Sequence, residues 1–335
     1  MKVLYVITKD DVGGAQRYVA DLASHLDRSV FEPKVLYGDA DLKWLSNRTM
    51  PWLLFANDWM AVGELALRLW RERPAIIHLN SSKAGVIGSL AAALYKLLLT
   101  LNPKPYTLYP RVVFTAHGWV FNPTNDLSAF TRRGYALLHR IAAWFQDAII
   151  NVSQYDRQLA LRYRIASAHK LVTIHNGVDP HPRLLSRDQA RKEILNRLQL
   201  PVTCYLLPVT APWIGSVGRL VKEKDYTTLI RAAALVPEAN FFIVAEGPGQ
   251  YELELLIAKE GVASRCAIIT GLSPAAPYLA AFDLFVLSSV KEGLPYALLE
   301  ALAAGVPVVV TDAGGMPEVV AGAGEPVGAV VAQRD

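Results

Sequence analysis

The chain has 335 residues, 52% of them hydrophobic and 19% charged, which excludes a disordered or fibrous protein and, at roughly 100–200 residues per domain, leaves room for two cored domains. A formal charge of +4 is too small to argue for a nucleic-acid binder. Two cysteines, Cys204 and Cys266, exclude a disulfide scaffold or a cysteine-based zinc cluster and fit a reducing, cytosolic setting.

In chain order, short apolar runs alternate with longer helical patterns. Residues 3–7, 34–37, 76–79, 112–115, 148–152 and 171–174 read as strands. They are nearly continuous Val/Ile/Leu runs, as expected of parallel strands buried on both faces. Helices are predicted between them at 15–26, 84–99, 131–145 and 154–163. The apolar stretch 86–101 is interrupted by Ser89 and Lys96 and falls short of the ~20 apolar residues a membrane span needs, so it reads as a buried helix. A proline-interrupted segment, 176–212, carries one charged helix at 187–198. Strands then follow at 214–217, 241–244, 267–269, 284–287 and 308–311, with helices at 226–235, 251–259 and 296–304. Strand–helix–strand repetition calls for parallel sheets, and about eleven strands are too many for one ordinary open sheet. The expected architecture is α/β: two doubly wound, Rossmann-like domains, 1–175 and 176–335, facing a cleft.

Ligands in such sheets sit beyond the carboxyl ends of the strands, so the candidate residues are those that follow strands. Gly13 and Gly14 open the first helix; they fit either a tight turn or a backbone approach to an anionic ligand. The spacing is not the dinucleotide Gly-x-Gly-x-x-Gly pattern. His78 and His117 end strands; His117, beside Gly118, is the functional candidate, and His78 reads first as structural. Ser81 or Ser82 caps the next helix, or its N-terminus together with Lys83 holds a phosphate. In the second half, Arg219 and Lys224 stand on one strand-end loop, a spacing suited to clamping a diphosphate. Glu292 precedes a helix that Pro295 enters, and Glu300 lies in an otherwise apolar segment of it. A buried carboxylate there would need donors, which vicinal ligand hydroxyls supply.

Gly218-Arg219-Leu220 with Lys224, Glu246-Gly247-Pro248-Gly249, and above all Glu292-x7-Glu300 followed by Ala-Leu-Ala-Ala-Gly-Val-Pro-Val-Val-Val-Thr-Asp-Ala-Gly-Gly resemble the family-4 retaining glycosyltransferases of GT-B fold. The Ser-Ser-Lys-Ala-Gly, Phe-Thr-Ala-His-Gly-Trp and His-Asn-Gly-Val-Asp segments are similar to the bacterial branch that builds capsule, exopolysaccharide and O-antigen chains. The resemblance implies that Arg219 and Lys224 hold the diphosphate of a nucleotide sugar, UDP by preference. It implies further that Glu292, Gly293 and Leu294 face sugar and phosphate, that Glu300 binds the ribose, and that Gly271 and Leu272 face the base. Gly14 and His117 would meet the transferred sugar, with His117, Glu292, Arg219 and Lys224 as the catalytic set. Gly13, Gly14, His78, Ser82 and Lys83 would lie on the acceptor side. No cofactor is implied beyond the donor as substrate. The acceptor implied is a glycan or a polyprenyl-diphosphate-linked sugar.

Two departures from the family are visible. Leu79-Asn80 stands where a second His is frequent, and the chain stops soon after Val331, where the family usually continues with helices. The Asp39-Ala40-Asp41 sequence has the form of a metal-binding motif from the other glycosyltransferase fold; it follows an early strand, far from the clamp, and reads as a solvated loop, so metal-independent activity is expected. A sugar-nucleotide 2-epimerase of the same architecture and a non-catalytic binding partner remain alternatives. Residues 1–170 hold 21 basic and 13 acidic side chains, net +8. This points to peripheral contact with the anionic inner face of a membrane, through Arg132, Arg133 and Arg140 beside Tyr135, Leu138, Ile141 and Phe145, or else to an ordinary helix with one core face.

Overall fold

The computed structural model describes residues 1–8, 13–38, 40–42, 44–45, 56–102, 109–198, 210–322 and 327–333. Cys204, Asp39 and the Asp11-Val12 end of the first loop lie outside them. The chain divides into two units, Met1–Asn176 and Gly177–Asp335.

Unit 1 is a six-stranded sheet in the order β2-β1-β3-β4-β5-β6, with every pairing parallel. Its strands are β1 (Lys2–Ile7), β2 (Glu32–Tyr37), β3 (Ile76–Asn80), β4 (Arg111–Ala116), β5 (Ala148–Asn151) and β6 (Leu171–Thr173). The helices are α1 (Gly14–His25), α2 (Ala56–Glu72), α3 (Ser82–Leu101), α4 (Ala129–Ala143) and α5 (Gln154–Arg162). The core fills between sheet and helices with Leu4, Val6, Ile77, Leu79, Phe114 and Trp119 among others. Long, apolar α3 could cross a membrane by length and composition. Here it is the crossover between two adjacent parallel strands, with Ala84, Ile87, Ala91 and Tyr95 buried.

Unit 2 holds β7 (Trp213–Arg219), β8 (Asn240–Glu246), β9 (Cys266–Ile269), β10 (Leu284–Leu287), β11 (Val308–Thr311) and β12 (Gly328–Val331). They run parallel in the order β12-β11-β10-β7-β8-β9. The helices are α6 (Arg187–Asn196), α7 (Tyr226–Leu235), α8 (Gln250–Lys259), α9 (Tyr296–Ala303) and α10 (Met316–Val320). One cluster around Phe242, Phe285, Leu298 and Met316 and another around Ile230, Phe241 and Ile243 make the core. At the joint, α6 is opened by a Ser186/Gln189 capping box and is tied to this unit by Arg187 and Arg191, both paired with Asp283.

Each sheet has one place where the winding reverses: between β1 and β3 in unit 1, and between β7 and β10 in unit 2. Beyond the carboxyl ends of those strands a crevice is left for ligand. That is what this fold contributes to function.

Candidate active site

In unit 2 the reversal point brings together side chains 68 residues apart. After β7, a single 3₁₀ turn over Lys222–Lys224 leads through Asp225, at φ 44, into α7. Lys224 Nζ lies 2.6 Å from Glu292 Oε1, and both side chains are largely shielded. Ser289 Oγ donates to the same oxygen at 2.7 Å. Among the described residues Oε2 has no protein partner. The two loops are sewn together by Ser288 Oγ donating to the Lys224 carbonyl at 2.9 Å and by Val290 N donating to the Glu223 carbonyl at 2.9 Å.

The turn that carries Glu292 is held from behind by the loop after β11. Gly315 N donates to the Gly293 carbonyl at 2.7 Å, and Gly314, at φ 58, sits so close that a Cβ would strike the Glu292 carbonyl. Only glycine meets both demands. Leu294 is buried, and Pro295 takes the N-cap position of α9 with extended φ and ψ.

Arg219 ends β7 exposed, with no hydrogen bond or ion pair to its side chain among the described residues. Glu300 is half-buried and already engaged. The premise of an enclosed, unpaired carboxylate is therefore corrected: solvent and a neighbour share its charge. Gly271 is committed on both sides, its N–H donating to Glu246 Oε1 at 2.8 Å and its carbonyl accepting from Arg197. The Leu272 side chain is in the core, so only backbone is left there to face a ligand.

In unit 1, α1 begins at Gly14 with Gly13 as N-cap and no capping side chain. Across the reversal point, Thr8 Oγ1 donates to Ser81 Oγ at 3.1 Å. Ser81, not Ser82, caps α3, accepting from Ala84 N. Lys83 pairs with buried Asp58 of α2 at 2.9 Å, so its charge is already balanced within the fold. Buried His78 and half-buried His117 belong to one polar group. His78 Nε2 lies 2.7 Å from Thr115 Oγ1, which is 3.3 Å from the Tyr18 hydroxyl. His117 Nε2 lies 3.3 Å from Asn80 Oδ1, and Tyr18 meets the His117 ring edge-on, centroids 4.8 Å apart. Burial holds His78 neutral, with its pKa lowered to about 4. Burial, and secondly His78, lower that of His117 to about 3. Both imidazoles are uncharged at neutral pH.

Sequence reasoning missed Ser288 and Ser289, Tyr18, Thr115 and the asparagines Asn80 and Asn151. For the last two a signal existed: each is a polar residue ending an otherwise apolar strand.

Comparisons with known proteins follow the same division. The model of glycosyltransferase family 4 matches residues 12–181, and that of the glycosyl transferases group 1 matches residues 205–335. The chain is 27% identical over 256 residues to an Escherichia coli UDP-Gal:α-D-GlcNAc-diphosphoundecaprenol α-1,3-galactosyltransferase, covering 74% of this chain and 60% of that protein. It is 23% identical to the Escherichia coli O-antigen biosynthesis glycosyltransferase WbnH, over 96% of this chain and 84% of that one. Among solved structures, Anabaena HepE in complex with UDP and glucose superposes with a TM-score of 0.74 at 20% identity, over all of this chain and 86% of HepE. Sucrose-phosphate synthase from Thermosynechococcus elongatus gives 0.75 at 18%, with the same coverage. At those identities the likeness is one of fold.

Proposed function

This chain belongs to glycosyltransferase family 4, with two Rossmann-like domains of the GT-B type, and we propose that it is a retaining, metal-independent enzyme that moves a sugar from a UDP-sugar to a glycan or polyprenyl-diphosphate-linked acceptor in cell-surface polysaccharide synthesis. The observation that carries this reading is the Lys224–Glu292–Ser289 constellation at the reversal point of the unit 2 sheet. Support for UDP comes from the galactosyltransferase relative, named for UDP-Gal, and from HepE, crystallised with UDP.

In this reading each group has a definite task. An ammonium has three N–H donors; Glu292 takes one from Lys224 and fixes the group's place, and the others serve a diphosphate. Arg219 offers a free fork to the same phosphates. Glu292 Oε2 accepts from a hydroxyl of the donor sugar, the turn Gly293–Leu294 approaches sugar and phosphate, and Glu300 takes the ribose. His117 and Gly14 meet the sugar from unit 1. The bond between sugar C1 and the β-phosphate oxygen breaks as the acceptor oxygen bonds C1 on the same face. The acceptor proton passes to the departing phosphate. Negative charge grows on that phosphate as the bond breaks, so the fixed cations bind the transition state better than the ground state.

The test is incubation with UDP-sugars and a GlcNAc-diphosphate-polyprenol, with and without chelator. The expected product keeps the donor's anomeric configuration by NMR, at a rate a chelator leaves unchanged. Inversion, or a chelator-sensitive rate restored by Mn²⁺, contradicts the mechanism. A change of sugar identity in the donor alone, without acceptor, would identify an epimerase instead.

Peripheral contact with anionic lipid is part of this proposal, but through a different face of α4 than the sequence suggests. Tyr135, Leu138, Ile141 and Phe145 are half-buried. Exposed instead are Phe130, Leu137 and Trp144, at 71%, 53% and 72%, with Arg133 and Arg140 between them on the same stripe.

A further inference from the structure

The turn His117-Gly118-Trp119 leaves β4 between two buried asparagines. Asn80 ends β3 on one side and Asn151 ends β5 on the other; both are fully buried, and their registers on β4 are Thr115 and Ala116. The two make the same local bond, each Nδ2 donating to a carbonyl two residues back: Asn80 to His78 O at 3.1 Å, Asn151 to Ile149 O at 3.5 Å. Each Oδ1 then faces a ring nitrogen of the turn at 3.3 Å, His117 Nε2 for Asn80 and Trp119 Nε1 for Asn151. Gly118, at φ 103, lets the chain send both rings to opposite sides.

An indole N–H can only donate; that of Trp119 donates to the Asp156 carbonyl at 3.0 Å and shares the bond with Asn151 Oδ1 at 3.3 Å, so the Asn151 amide turns its oxygen to the ring. The Asn80 side repeats that arrangement. Its amide cannot be flipped without setting Oδ1 against the His78 carbonyl, two acceptors together. A carbonyl oxygen facing Nε2 requires a proton on Nε2. In a neutral imidazole the proton is then absent from Nδ1. Among the described residues no protein group bonds Nδ1.

We propose that Asn80 is a positioning residue that locks His117 as the Nε2–H tautomer, so that Nδ1 is presented as a hydrogen-bond acceptor and the ligand group it takes is a hydroxyl, not a phosphate oxygen. The assignment of that hydroxyl to the transferred sugar rests on the glycosyltransferase reading; the tautomer does not.

The test is long-range ¹H–¹⁵N correlation NMR of the ¹⁵N-labelled full chain without ligand at pH 7.5, with His117 assigned by the loss of its signals in His117→Gln. Wild type is expected to show a protonated Nε2 and a bare Nδ1, and Asn80→Ala to show both nitrogens averaged between tautomers. Asn80→Asp sets a second oxygen against the His78 carbonyl in a fully buried place, so it should keep its proton there, leave the other oxygen to accept from Nε2 and preserve the tautomer. Asn151→Ala should disturb the Trp119 indole signal and leave the His117 tautomer alone. A proton on Nδ1 in wild type, or tautomers averaged in Asn80→Asp, overturns the proposal even if Asn80→Ala does not fold. In turnover, Asn80→Ala is expected to lower kcat for the UDP-sugar at least tenfold with little change in Kd for UDP. A locked tautomer with unchanged turnover would overturn the sugar assignment and leave the tautomer standing.

Discussion

Lys224 and Glu292 come from loops far apart in sequence and share a contact of 2.6 Å beside Ser289. Arg219→Ala or Lys224→Ala is expected to raise the barrier by roughly 2–4 kcal/mol, the scale for one preorganised donor to a developing charge, measured as kcat/KM. Lys224→Ala also strands a shielded carboxylate and should lower Tm, which exposed Arg219→Ala should not. Gly314→Ala forces a side chain into left-handed backbone against the Glu292 carbonyl. A loss of about 1–3 kcal/mol is expected by thermal denaturation, with activity falling as the Glu292 turn shifts. At this scale the sequence was most informative where a residue type has few reasons to be where it is. Two cations after one strand and a glutamate before a helix marked three side chains, of which Lys224 and Glu292 come together. It misled where a partner was invisible: Lys83 read as a phosphate ligand because Asp58, its partner, sits on a helix that the pattern did not disclose, and Glu300 read as enclosed because its apolar neighbours in sequence do not surround it in space.

Helix α2 shows why some elements were missed. Its buried residues Ala61, Val62, Leu65, Ala66 and Leu69 do recur at helical spacing, but exposed Trp59, Met60 and Leu67 blur the boundary between faces. β12 and α10 are too short, at four and five residues, to hold a period. Parallel strands β1–β11 were legible because burial leaves continuous apolar runs. Helix α4 was found, but with its outward face misjudged: its exposed stripe alternates aromatic or aliphatic side chains with arginines. Such a stripe suits an anionic interface. Flotation with vesicles containing phosphatidylglycerol should carry the protein up, and with neutral vesicles should not; Leu137→Ser with Trp144→Ser should abolish the difference. Equal recovery with both vesicle types would remove the lipid-contact reading.

Over the whole molecule, two buried histidines, His78 and His139, and the half-buried His117 tie stability to pH. His78 and His139 have pKa values lowered to about 4 and His117 to about 3, in each case first by burial, while the unfolded chain titrates near 6.5. Between those limits the unfolded state binds protons that the folded state refuses. Their contribution is fully present above about pH 6.5 and is lost as pH falls toward 4 and 3, by up to about 1.4 kcal/mol per pH unit for each histidine. Asp147, Asp283 and Glu72, all lowered, add losses only at more acid pH, below their ordinary carboxylate range. Tm should therefore fall from pH 6.5 to 5, and less steeply in His139→Gln, whose ring sits among Phe114, Trp119 and Phe121 away from the proposed sugar contact. A flat Tm over that interval would contradict the buried, neutral state.

Division into two parallel α/β units was readable from strand–helix alternation; the order of strands was not, because nothing local records on which side of its predecessor a strand is laid. That order puts Lys224 and Glu292 at a reversal point, and the central claim is that a nucleoside diphosphate sits there. Calorimetric titration of UDP into the wild-type chain and into Arg219→Ala and Lys224→Ala tests it most directly. Saturable binding to wild type with at least a tenfold loss in each variant is the expected result; UDP binding that both variants leave intact, or none to the folded wild type, would contradict it.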